Sequence, residues 1–181
     1  MKPYQRVASR YMKAKYQKGN ITIEVVSNYA KLSPNANLGV ELQLDGEWKG
    51  VCEAYVHTYT LEEMGRGHFA CYDDIEKLGE EYWFEDEMLR YDDNGEPVIL
   101  VVEVVNSYLH PDLQGQRCGV QMYVELVKEA WLEHGRLPLL FMPNYCHNRS
   151  TSDKALRIWK SFAKKYRSEG DVIVIDKMPH L

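Results

Sequence analysis

Val98-Ile-Leu-Val-Val-Glu-Val-Val-Asn-Ser-Tyr-Leu-His-Pro-Asp-Leu-Gln-Gly-Gln-Arg-Cys-Gly-Val120 holds three kinds of sequence in one run. Residues 98–105 are apolar except at Glu103, so they read as a strand buried on both faces. Leu113 to Val120 carries two glycines and reads as a loop that opens a helix. Behind it, Val120, Tyr123 or Val124, Val127 and Trp131 recur at helical spacing, and Gly135 stands where a C-cap belongs. A strand that feeds a loop into a helix N-terminus presents unpaired N–H groups with the helix dipole behind them, which suits an anion. Gly115 and Gly119 would let the backbone approach a phosphate closely, and Arg117 would add a charge.

Outward from this run, Leu137 to Met142 reads as a short strand. Asp153 is a candidate N-cap for a helix with Leu156, Trp159, Ala163 and Tyr166 on one face, and Ala155, Ile158 and Phe162 on another. One last strand is expected at Asp171-Val-Ile-Val-Ile-Asp176. Upstream, Ile21 to Val26 and Leu38 to Leu44 alternate as strands, Asp45-Gly46 signals a hairpin, and Trp48 to Tyr59 reads as its second arm. Tyr4, Val7, Tyr11 and Ala14 fall at helical spacing. The expected order is helix, meander of strands, then β-α-β-α-β, in one α+β domain spanning residues 1–181.

The chain has 181 residues, 45% of them hydrophobic, which is material for one packed core and excludes general disorder. Its longest aliphatic run is too short to span a bilayer, and no apolar block follows the first charges, so no membrane or secretory role is expected and the expected compartment is the cytoplasm. The four cysteines stand singly, without CxxC or histidine spacing for a metal, so free thiols are expected. The formal net charge of −5 is unevenly spread. Residues 1–20 hold six bases and no acid, whereas residues 61–96 hold thirteen acids and three bases. The net sign makes nucleic acid an improbable partner, and the acidic block reads as an insertion able to draw in cations.

Leu109-His-Pro-Asp-Leu-Gln-Gly-Gln-Arg-Cys-Gly-Val resembles the acetyl-CoA-binding signature of the GNAT family of N-acetyltransferases: Gln or Arg, two residues, Gly, one residue, Gly or Ala. Gln114 matches the first position and Gly119 the last, while Arg117 stands at the middle glycine. The resemblance covers residues 98–160. It implies a GNAT-like fold, with a mixed, mostly antiparallel central sheet flanked by helices and splayed where CoA enters. It further implies that backbone amides across Gln114, Gly115, Gln116, Arg117, Cys118 and Gly119 hold the CoA pyrophosphate, that Tyr108 and Leu109 pair with the pantetheine arm, and that Asn148 and Ser152 contact it. In the best register Ser152, Ala155 and Trp159 take the family's Asn, Ala and Tyr positions. Trp159 has no proton to give a thiolate, so Tyr145, Tyr108 or water would serve as the acid.

Glu103 lies eleven residues before Gln114, an offset similar to that of the general-base glutamate in the histone-acetylating branch. Burial would raise its pKa toward a useful range. It could equally pair with a basic residue or face solvent. Cys146 with His147 is a further nucleophile-and-base pairing, although adjacent side chains usually point apart. The sequence therefore leads to an expectation of acyl transfer from acetyl-CoA to an amine acceptor, with a cationic one suited to the acidic block, and with no metal. The alternatives are a catalytically silent CoA-binding module or a protein-interaction module. Acceptor, acyl group and oligomeric state stay open.

Overall fold

The computed structural model describes residues 15–26, 31–60, 63, 77, 89–141 and 152–179. Among these, the sheet comprises β1 (Lys15–Lys18), β2 (Ile21–Val25), β3 (Leu38–Leu44), β4 (Glu47–Thr60), β5 (Leu89–Tyr91), β6 (Pro97–Leu109), β7 (Leu139–Phe141), β8 (Arg167–Glu169) and β9 (Val172–Val174). Two helices, α1 (Cys118–His134) and α2 (Asp153–Ala163), complete an α+β fold. The strand order is β1-β2-β3-β4-β6-β7-β9-β8, with β5 beside the start of β6. Every pairing is antiparallel except β6 with β7. The coarse expectation of a mixed, mostly antiparallel sheet with helices holds.

Local chemistry explains the meander. Asp45 and Gly46 both adopt positive φ, +54° and +80°, the two-residue turn whose twist matches a hairpin. Asp92 accepts backbone hydrogen bonds from Asn94 (2.8 Å) and Glu96 (2.9 Å), closing the turn from β5 into β6. These bonds hold the Asp92 carboxyl below its ordinary pKa. Residues 89–91, counted with the acidic block, thus belong to the sheet, and 92–96 form the turn that joins them to β6.

β6 is the spine of the molecule. It runs antiparallel to β4 along its length and parallel to β7 only at Val101–Leu139, Val102–Leu140 and Glu103–Phe141. Ile99, Leu100, Val101 and Val102 are wholly buried, as apolarity on both faces requires. The strand continues to Leu109, beyond the expected end at Val105. At Val105 the register against β4 shifts, since Glu53 pairs with Asn106 and Ala54 with Val104. Val105 is therefore the extra residue of a β-bulge, a device that bends a strand and re-aims its side chains.

α1 lies across β2, β3, β4 and β6 and buries Met122, Tyr123, Leu126, Val127 and Ala130. The expected stripe is right at Tyr123, Val124 and Val127 but not at Trp131, which is 41% exposed; Ala130 takes its place. Tyr123 meets Trp159 and Phe162 of α2, with ring centroids 6.2 and 6.1 Å apart.

Four further differences from the sequence reading have physical causes. Lys15–Lys18 is a strand because Gly19, at φ +58°, lets it fold back on β2. Two strands follow α2, because Gly170, at φ +53°, turns Arg167–Glu169 onto Val172–Val174. The N-cap of α2 is Ser152, whose hydroxyl accepts from the Ala155 N–H at 3.2 Å, so Asp153 is the first helical residue. Tyr166 lies past the end of α2. Cys52 and Cys118 are buried free thiols; Cys71, Cys146, the helical pattern at residues 4–14 and most of the acidic block lie outside the described residues. No helix among the described residues is long and apolar enough to cross a membrane.

Candidate functional site

A cleft of about 530 Å³ opens beside the end of β6. One wall is Ser107, Tyr108 and Leu109 at the end of β6; the floor is Gln114, Gly115 and Arg117 to Val120; the far wall is Ser152, Lys154, Ala155, Arg157, Ile158 and Ser161 of α2. The residues expected from sequence to hold a nucleotide-bearing thioester thus converge: Tyr108, Leu109, Gln114, Gly115, Arg117, Cys118, Gly119 and Ser152 share one cavity. Gln116 is not among the lining residues. Asn148, Tyr145, Cys146 and His147 lie outside the described residues.

The loop is held from within. The Gln114 side-chain amide donates to the Leu109 carbonyl (3.2 Å), and that of Gln116 donates to the Asp112 carbonyl (2.9 Å). The backbone N–H groups of Gln114 and Gln116 donate to Pro111 and Leu113 (3.1 and 3.4 Å), so both are already used. Gly115 then turns at φ +82° and Arg117 at φ +63°. Arg117 is the N-cap of α1 but makes no side-chain capping bond, and the Gln121 N–H is the donor that reaches its carbonyl, at 3.0 Å. The amides at the start of α1 therefore face the cleft as helix-terminal donors, with the dipole behind them.

The two motif glycines serve different ends. Gly115 is conformational. Gly119 is steric: a Cβ there would come within 2.5 Å of Ile158 Cδ1, so its absence allows α1 and α2 to approach. Gly119 thus serves helix packing while also lining the cleft.

Among the described residues, Arg117, Lys154 and Arg157 line the cleft and no carboxylate does. Three cations with helix-terminal amides make a site for a multiply charged anion. Lys154 and Arg157 were missed by sequence reasoning, which followed only the apolar faces of α2. Their spacing of three on the turn that starts at Ser152 was the available signal.

Ser152 and Ala155 face the cleft, but Trp159 does not; it is 4% exposed and packs against Tyr123. The helix presents Ile158 and Ser161 to the cavity instead. Trp159 is thus a core residue, and the register that set it in place of an acid is corrected. Tyr108 is 43% exposed and lines the cleft, so a phenol is present there by another route.

Glu103 lies on the opposite side of the sheet from α1. Tyr123 of α1 is felt by Cys52 and Ser107, which pair across β4 and β6. Residues of the other parity, and after the bulge Asn106 and Tyr108, therefore face away from α1. Glu103 pairs with Tyr55 on β4 and Phe141 on β7, is half-buried, and has an interaction partner. Beside it runs an aromatic ladder in which His57 sits edge-on between Tyr55 (4.2 Å) and Tyr59 (3.9 Å). Burial pushes the His57 imidazole down to about 4, and a weaker opposing pull comes from Glu63. Burial also drives the thiols of Cys52 (to about 12) and Cys118, and the Tyr123 phenol, above their ordinary values, so none of these ionises near neutrality.

No protein-family model, curated protein or solved structure matches the chain.

Proposed function

We propose that the protein is an acyl-CoA-dependent N-acyltransferase, with acetyl-CoA as donor and an amine as acceptor. The observation that carries this reading is the cleft itself: a loop following a buried strand, helix-terminal amides, three cations and the last residues of β6 in one cavity. The donor supplies an activated thioester. The amides of Gly115, Arg117, Cys118 and Gly119, with the side chains of Arg117, Lys154 and Arg157, would bind its phosphates. The exposed edge of β6 at Ser107–Leu109 would align its extended arm by strand-like hydrogen bonds. A backbone N–H near the bulge or at Leu109 would stabilise the oxyanion. Glu103, directly or through water, would take the proton that the amine loses as it forms the new C–N bond. The C–S bond breaks, and the departing thiolate takes a proton from Tyr108, Tyr145 or water.

The second reading, a CoA-binding module without turnover, is favoured by α2, which presents Ala155, Ile158 and Ser161 to the cleft and no phenol. Two measurements decide. Calorimetry with acetyl-CoA should show binding at micromolar to millimolar concentration; its absence at millimolar ligand removes both readings. A thiol-release assay with a panel of amines then separates them. Glu103→Gln should lower turnover by about 10²–10⁴-fold if it is the general base, and unchanged turnover removes it from that role.

A further inference from the structure

The face of the sheet turned away from α1 holds a second groove of about 570 Å³, lined in part by Trp48, Val51, Glu41, Glu53, Asn106 and Tyr108. Trp48 and Tyr108 stack face to face across its mouth, with centroids 5.4 Å apart and planes 2° from parallel. Both stay largely in solvent, 52% and 43% exposed. Glu53 beneath them is only 3% exposed. Its carboxylate accepts from the Ser33 N–H (3.0 Å), the Ser33 hydroxyl and the Asn106 side-chain amide (2.7 Å). A buried carboxylate with three donors is held in one place as a fixed negative charge. Glu41 adds a second carboxylate, against one cation among the described lining residues, Lys31.

Tyr108 lines both cavities, which puts the groove and the cleft at the same end of β6. Glu103 faces the groove's side of the sheet, because Tyr55 and Glu103 pair one step along from Glu53 and Asn106, across the bulge. Exposed ring faces beside a fixed carboxylate attract a protonated nitrogen. A nitrogen held there keeps its proton, has no lone pair to offer, and cannot be the one that reacts.

Resting on the acyltransferase reading above, we infer that this groove is the acceptor site and that it takes an alkyl diamine. One nitrogen stays as ammonium between the Trp48–Tyr108 rings and the carboxylates of Glu41 and Glu53. The other attacks the acyl carbon on the Glu103 side. The C–N bond forms as the C–S bond breaks; the proton shed by the amine passes to Glu103 and the thiolate is protonated on leaving. The products are a mono-N-acylated diamine and free CoA.

The test is a calorimetric titration of 1,4-diaminobutane and of n-butylamine into the full chain, with and without CoA. The diamine should bind about tenfold more tightly than the monoamine. Trp48→Leu and Glu41→Gln should each weaken diamine binding severalfold and leave CoA binding unchanged, whereas Trp48→Phe, which keeps a ring face, should retain most of it. In turnover, Trp48→Leu should raise KM for the diamine and leave kcat nearly unaltered. Equal affinity for the two amines, or indifference to Trp48→Leu, overturns the groove assignment. CoA binding without diamine binding overturns it while leaving the acyltransferase reading intact. Diamine binding that depends on Trp48 in a protein that does not bind CoA overturns the acceptor role and the acyltransferase reading together, leaving a dication site.

Discussion

Arg117 occupies the left-handed region at φ +63°, a conformation that costs a branched-at-Cβ or long L side chain about 1–2 kcal/mol and glycine nothing. The signature that this loop resembles has a glycine at this position, and Arg117 adopts a glycine-like conformation there. Its guanidinium lies in the cleft with Lys154 and Arg157. Arg117→Gly is expected to stabilise the fold by about 1 kcal/mol, raising Tm by a few degrees in a melting experiment, and to weaken acetyl-CoA binding in calorimetry. Opposite signs in the two measurements would mark a strained residue kept for its ligand; parallel losses would mark it as structural. His57 offers a second test at this scale. Its folded pKa of about 4 lies below the ordinary 6.5. Above about pH 6.5 both folded and unfolded rings are neutral and no difference arises. As pH falls from 6.5 to 4 the unfolded ring takes a proton that the folded ring refuses, so stability declines through that window. His57→Gln should flatten this part of the Tm-against-pH curve, and the wild-type imidazole should titrate near 4 by NMR. Nothing in the sequence marks this histidine; its position between two tyrosines of β4 appears only when alternate residues are placed on one sheet face.

Helix α2 depends on two small groups that bring it to the cleft. Ser152 caps it, and losing that hydroxyl in Ser152→Ala should cost about 0.5–2 kcal/mol, read as a lower Tm, and should loosen the turn that carries Lys154 and Arg157. Gly119 lets α1 approach Ile158. Gly119→Ala should therefore cost about 1–3 kcal/mol by overpacking. Ile158→Val, which removes the Cδ1 atom that the new methyl would meet, should recover part of that loss in the double variant. Full additivity of the two losses would show that the contact does not set the packing. The elements themselves were readable where hydrophobic period or turn chemistry was strong: β3, β4, α1 and the Asp45-Gly46 hairpin. β1 and β8 were not, because Lys15-Tyr-Gln-Lys18 and Arg167-Ser-Glu169 are too polar to announce strands, and each is made by backbone pairing across a glycine turn. The N-cap slipped by one residue because Ser152 and Asp153 are both competent caps, and only geometry chooses between them.

Across the whole molecule, charge is sorted between the two sides of β6. Among the described residues, the cleft toward α2 carries cations alone, whereas the groove on the opposite face carries two carboxylates against one lysine. Acetyl-CoA binding should therefore weaken as salt is raised, and Lys154→Ala with Arg157→Ala should reduce both the affinity and its salt slope in titrations at two ionic strengths. The sequence displayed the uneven charge only as runs along the chain, at residues 1–20 and 61–96. The sorting across β6 was hidden, because Glu53 and Asn106 or Trp48 and Tyr108 become neighbours only through strand register. The two outermost strands of the described sheet have one more consequence. Both are only three or four residues long and carry Lys15, Lys18, Arg167 and Glu169. A sheet ending in short, charged strands gives an incoming chain few free backbone groups and an electrostatic penalty for adding a strand. This guards the protein against fibril growth at high concentration, and Lys15→Val with Lys18→Thr should lower the concentration at which aggregates scatter light.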